Sequence, residues 1–346
     1  MRKTLLLAAA LIAPLFTAPA PLSAQASAAQ AAGKTKPSPL APSEIVAAAP
    51  KGDWTRIAPA DLLVMELAPD AKGKPRRVVI QLMPPPFSAG WTGNIRKLAA
   101  AHWWDGMSIN RVQDNYVVQW GDPNADDKAK AKALPTGLAT MAESEYELNF
   151  GYCKKGQACG PNPSAYALRK TAAKISGVRK ELDAYLVSTG FAKGWPISLT
   201  TGAFLGVAPI HCYGMVGVGR DLSPNTGSGT ELYVVIGHAP RHLDRNIALV
   251  GRVIEGIEHL SSLPRGTGTL GFYETPDERT GIVSIRLQSE IETDKPLPVY
   301  EYLSTESASF AKYADARANR RDPFFIRPAG GADICNIPVP VRRVKG

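Results

Sequence analysis

The feature that most restricts this chain is a succession of short apolar runs set between residues with turn chemistry. Leu62–Leu67 (LLVMEL) and Arg77–Leu82 (RVVIQL) flank the turn-forming stretch PDAKGK and read as a hairpin. Further runs stand at Ile109–Val112, Tyr116–Trp120, Met215–Val218, Glu231–Ile236, Ile247–Val253 and Gly281–Leu287. Helical spacing is sparse among them: Thr92–Ala101, with Thr92 as a cap, and a short piece at Ile254–Leu260. About eight short strands and two flanking helices predict a mainly β fold, a closed antiparallel barrel.

Two segments break that rhythm. Strand patterning lapses over 123–212, which reads as an insertion. Its clearest element is a helix over about 163–189: Asn162-Pro163-Ser164 has capping chemistry, and Ala165, Leu168, Ala172, Ile175, Val178, Leu182 and Leu186 recur in steps of three and four. Beyond the barrel domain of 58–290, a C-terminal extension (291–346) holds a second helical pattern, Ser304–Arg317. The N-terminus differs again. Met1-Arg2-Lys3, the apolar run Leu5–Phe16 and small residues around Ala24 have the layout of a signal peptide over 1–26. The Ala-, Pro- and Ser-rich 27–57 reads as a flexible linker. The expected location is the periplasm, without stable membrane insertion, since the apolar run is too short to span a bilayer.

With 346 residues, 45% of them hydrophobic, the chain can bury a sizeable core. A formal charge of +9 is modest for that length, and the basic residues are scattered without interleaved aromatics, which argues against nucleic acid. Four cysteines in an exported protein suit disulfides. Of the three pairings available, the short glycine-bounded GYCKKGQACG favours Cys153 with Cys159, leaving Cys212 and Cys335 to pair with each other or to remain thiols. No Cys/His spacing suggests a metal site, and no cofactor is expected.

The common chemical motifs find no support. Gly266–Gly271 (GTGTLG) matches GxGxxG, but it follows a helical pattern and Pro264 where a dinucleotide site needs a preceding strand. No histidine pair has HExxH spacing, and no serine sits in GxSxG.

One stretch invites a different reading: INRVQDNYVVQWGD, residues 109–122, carries an arginine and a glutamine within strand-like runs. Together with Trp104-Asp105-Gly106, it resembles the central block of the cyclophilin-type peptidyl-prolyl isomerases. Ser223–Val234 (SPNTGSGTELYV) is similar to a second block of that family, and His242-Leu243-Asp244 with Val250–Val253 to a third. The resemblance covers about 60–122 and 213–290. By position it implies that Arg111 is the catalytic arginine and that Gln119 holds the substrate and orients it. It also implies that Tyr116, Val117, Tyr233 and Leu243 line the proline pocket. Ile247 and Glu231 fall on further substrate-contacting positions, and Asp221 lies in the segment whose backbone receives the peptide.

Departures from the family's habit stand beside these matches: Glu231 for glutamine, Asn110 and Ile247 for histidine, His242 for tryptophan, and Arg220-Asp221-Leu222 for Ala-Asn-Ala. The implied activity is cis/trans isomerisation of X-Pro bonds in exported proteins by a monomer. The rival expectation is a catalytically weak fold that binds peptides as a chaperone.

Overall fold

The computed structural model describes residues 38–149, 188–199, 206–294 and 296–344. In chain order its elements are α1 (Pro42–Ala47), β1 (Trp54–Arg56), β2 (Leu62–Leu67), β3 (Arg76–Leu82), α2 (Ala89–Ala100), β4 (Ser108–Val112) and β5 (Val117–Gly121). In the insertion follow β6 (Leu148–Asn149), β7 (Ser188–Ala192), β8 (Trp195–Leu199) and β9 (Gly206–Pro209). The chain then forms β10 (Met215–Val218), β11 (Leu232–Val235), β12 (Leu249–Glu255), α3 (Glu258–Ser261), β13 (Thr280–Leu287), β14 (Tyr300–Leu303), α4 (Ala308–Ala318) and β15 (Val341–Arg343).

Eight strands close into a barrel in the order β10-β11-β5-β4-β13-β2-β3-β12, every neighbouring pair antiparallel. Successive side chains on a strand point to opposite faces, so alternate residues fill the interior. Leu63, Met65 and Leu67 on β2, Val78, Ile80 and Leu82 on β3, and Val118 and Trp120 on β5 meet in one core with Trp91, Ile95 and Leu98 of α2. Each such aliphatic side chain, fully buried, contributes about 1.5–3 kcal/mol. The other face of the same strands is therefore free to carry a site or a second layer of protein.

A second core covers part of that outer face. Met83, Met215 and Leu249 of the barrel pack with Phe191, Trp195, Ile197 and Val207 of the insertion and with Leu303, Phe310, Tyr313, Ile334 and Ile337 of the extension. Among the described residues the insertion contributes a four-stranded antiparallel sheet, β6-β9-β8-β7. The β7–β8 hairpin turns on Lys193-Gly194, both with positive φ (50° and 83°), a two-residue turn whose twist suits a hairpin. Of the helix expected over 163–189, only Ser188 and Thr189 lie among the described residues, and they belong to β7. Cys153 and Cys159 also lie outside the described residues. Cys212 is bonded to Cys335, closing a separation of 123 residues and tying the end of the insertion to the extension.

Other expectations shift locally. Part of the stretch read as linker is folded: β1 pairs with β14, and Trp54 enters the second core, an anchor that an Ala/Pro-rich composition conceals. Helix α2 begins three residues before Thr92, whose hydroxyl donates to the Ala89 carbonyl from inside the first turn, so Thr92 is not the cap. Strand β12 runs on to Glu255, confining the following helix to Glu258–Ser261. The helix of the extension appears as α4, with the Ser307 hydroxyl accepting from the Phe310 N–H at 3.0 Å.

Candidate active site

On the barrel's outer face, β4, β5 and β11 set Arg111, Gln119 and Tyr233 side by side: Arg111 pairs with Gln119 across β4–β5, and Gln119 with Tyr233 across β5–β11. These residues alternate with the interior Val112, Val118, Trp120, Leu232 and Val234, so the period that builds the core also builds the site. Arg111, Tyr116, Val117, Gln119, Gly219, Arg220, Tyr233, Leu243 and Ile247 line a cavity of about 120 Å³. Val117 and Tyr233 form its apolar floor, backed by Val235, with Tyr116, Leu243 and Ile247 packed against them. The sequence-predicted site residues therefore converge, with two exceptions. Asp221 is exposed and accepts from the Leu222 N–H, and Glu231 stands behind Gln119 instead of on the wall.

Arg111 is held from three directions. Its Nε donates to the Leu270 carbonyl at 2.7 Å, Nη1 to Gln119 Oε1 at 3.0 Å, and Nη2 to Gln113 Oε1. The guanidinium carbon lies 5.6 Å from the Tyr116 ring centroid and 5.4 Å from that of Phe272, within cation–π range. All three acceptors are neutral. Burial lowers the Arg111 pKa, yet a guanidinium keeps its charge throughout the working range of proteins.

Gln119 has a defined amide orientation. Its Oε1 accepts from Arg111, and its Nε2 donates to Glu231 Oε1. Glu231 thus reaches Arg111 through the glutamine amide and not by direct contact. Burial raises the Glu231 pKa, against the lowering influence of the Gln119 donor.

The pocket tyrosine is also tied down. His211 receives no access to water, and its Nδ1 lies 2.8 Å from Asp244 Oδ1, which also accepts the His211 backbone N–H at 2.9 Å. A carboxylate there requires the proton on Nδ1, so Nε2 carries a lone pair and accepts from the Tyr233 hydroxyl at 2.8 Å. Burial holds the His211 pKa below its ordinary value, which keeps the ring neutral at pH 7. The Tyr233 hydroxyl is consequently directed to His211, and its ring rests over Gly217, where a Cβ would come within 2.3 Å of it.

Sequence reasoning passed over several contributors: Gln113, Leu270, Phe272, Gly219 and His211. The GTGTLGF loop had drawn notice only as a failed phosphate motif. Here Gly266 N–H donates to the Val112 carbonyl at 3.0 Å, Phe272 bridges to Arg111, and Leu270 supplies the carbonyl for Nε. A loop dense in glycine next to a charged strand residue was the available signal.

Residues 86–287 match the family model described as cyclophilin type peptidyl-prolyl cis-trans isomerase/CLD, more than half of the chain. The chain belongs to the cyclophilin-type isomerases. Among solved structures, the cyclophilin AquaCyp293 from Hirschia baltica is 21% identical, with a TM-score of 0.58 over 84% of this chain and 93% of that one. That likeness speaks for the cyclophilin fold alone. A cyclophilin type isomerase from Cryptosporidium parvum is 11% identical over 68% of this chain and 99% of its own, with a TM-score of 0.36, and carries no argument. No curated protein sequence matches. Membership makes this cyclophilin a peptidyl-prolyl cis-trans isomerase, and cyclophilins act on proline-containing peptide segments.

Proposed function

We propose that Arg111 is the electrostatic catalyst of this isomerase and that the cavity beside it receives the proline ring of exported substrates in the periplasm. The observation that carries the reading is the setting of Arg111: a permanent charge fixed by three neutral acceptors and two rings at the edge of an apolar cavity. The X-Pro amide resists rotation by about 18–20 kcal/mol because of its partial double bond. As the bond twists, conjugation is lost and the lone pair returns to a pyramidal prolyl nitrogen, which becomes a hydrogen-bond acceptor. A guanidinium donor held in place before the reaction favours that state over the planar one, and a water-poor surround strengthens the contact. Tyr116, Val117, Tyr233, Leu243 and Ile247 hold the ring while the other half of the amide turns.

Gln119 is assigned two tasks, fixing Arg111 and presenting its amide to the peptide backbone. The signal-peptide layout of 1–26 supports export, and the protein is expected to act as a monomer. A coupled assay on a peptide cleavable only in the trans-proline form tests the activity. Acceleration above background that is lost on substituting Arg111 supports the proposal. A folded protein that binds the peptide without accelerating isomerisation overturns it and leaves a peptide-binding module. Cell fractionation with N-terminal sequencing of the mature chain tests export.

A further inference from the structure

On the opposite flank of β12 from the core, Arg252 is only 6% exposed and has no acidic partner among the described residues. Its Nε donates to Gln81 Oε1 at 2.9 Å and its Nη1 to the Gly194 carbonyl at 2.8 Å. The guanidinium carbon lies 4.6 Å from the Trp195 ring centroid and 5.8 Å from that of Tyr302. Nη2 is buried with no acceptor among the described residues. Burial depresses the Arg252 pKa to about 10, which leaves the charge intact at neutral pH. A buried cation is ordinarily paired with an anion; among the described residues two carbonyl oxygens and two aromatic faces offset it.

Arg252 also lines a cavity of about 380 Å³ between the barrel, the insertion sheet and the extension, large enough for a small molecule. Phe191, Met215, Ile254, Ile337 and Val339 supply apolar wall, Arg317 adds a second guanidinium, and among the described residues no Asp or Glu lines it. Arg317 is bonded to the Asn336 carbonyl through Nε and Nη2. This cavity shares no lining residue with the one at Arg111. We propose that it binds an apolar carboxylate, the anionic head paired with Arg252 and the hydrocarbon body against the apolar wall. A monoanion matches the one deeply buried charge, Arg252, since Arg317 is half-buried and already bonded to the Asn336 carbonyl. A carboxylate also fits the planar edge of a guanidinium. The acid can be a free alkyl acid or the C-terminus of an apolar peptide.

Titration calorimetry on the full chain tests this with decanoate and decanol, and with an N-acetylated Leu-Val-Ile tripeptide as free acid and as amide. One of the two acids is expected to bind, at least tenfold more tightly than its neutral analogue. Binding should fall at least tenfold in Arg252→Gln, and also in Val339→Trp, which fills the cavity from its apolar wall. Saturation by decanoate alone identifies a free acid, and saturation by the peptide acid alone a chain terminus. If Arg252→Gln fails to fold, Val339→Trp and the neutral analogues carry the decision. Equal affinity for acid and neutral analogue, undiminished binding in Val339→Trp, or no binding of either acid at millimolar concentration overturns the proposal.

Discussion

Arg111 and Gln119 face one another across β4 and β5, and the arginine Nη1 donates to the glutamine Oε1 at 3.0 Å. The contact joins two residues whose backbones are already registered by the sheet, so little freedom remains to be lost when substrate arrives. Arg111→Ala should lower kcat/KM at least tenfold, with the circular dichroism spectrum unchanged, because the residue lies on the outer face and not in the core. Arg111→Lys should fall nearly as far: one ammonium cannot reproduce the planar fork that reaches Leu270, Gln119 and Gln113 together. An unaltered rate in the alanine variant would remove Arg111 from the mechanism.

Tyr233→Phe keeps the pocket ring but leaves His211 Nε2 buried without a donor. The expected loss is about 1–3 kcal/mol of unfolding free energy in a urea titration. Adding His211→Leu should recover part of that loss in a double-mutant cycle. Additive effects would show that the contact carries no coupling energy.

Glu231 carries a pH signature. Its folded pKa lies above the ordinary 4.5 because burial disfavours the ionised form. As pH rises through 4.5 the unfolded chain releases this proton first, so stability declines from there up to the folded pKa and the deficit persists above it. Glu231→Gln retains an acceptor for Gln119 and removes the titration. Its midpoint temperature should therefore exceed that of the wild type at about pH 8, with the difference vanishing below about pH 4. A constant difference across that range would contradict the assignment.

The Cys212–Cys335 bond closes a long loop between insertion and extension. Reduction should cost about 2–5 kcal/mol of stability, seen as a lower thermal midpoint in dithiothreitol. The Cys212→Ala, Cys335→Ala double variant should start from the lowered midpoint and not respond to reductant. Equal midpoints for oxidised and reduced wild type would show that the bond adds nothing to the fold.

Much of the barrel was legible because a β-strand writes its two faces into alternate residues. Arg111 and Gln119 stood out as polar residues within apolar runs, Tyr233 entered through the resemblance, and the structure sets all three between the interior Val112, Val118, Trp120, Leu232 and Val234. The insertion sheet was not legible: β6 and β9 are too short to show a period, and a helical spacing upstream dominated the reading. The linker reading missed β1 because one tryptophan among small residues carries the anchoring.

The sequence by itself determined the eight strands of the barrel and the hairpin at Leu62–Leu82, since each follows from neighbours within a few positions. Only the tertiary structure decided what surrounds those groups. Leu270 is 159 positions from the arginine it holds, Asp244 is 33 from His211, and Cys335 is 123 from Cys212. Closing the barrel, and packing the insertion and extension over one flank of it, brings such distant residues together. It leaves the Arg111 face open and buries Arg252 on the other, because apolar surface is removed from water wherever chain is available to cover it.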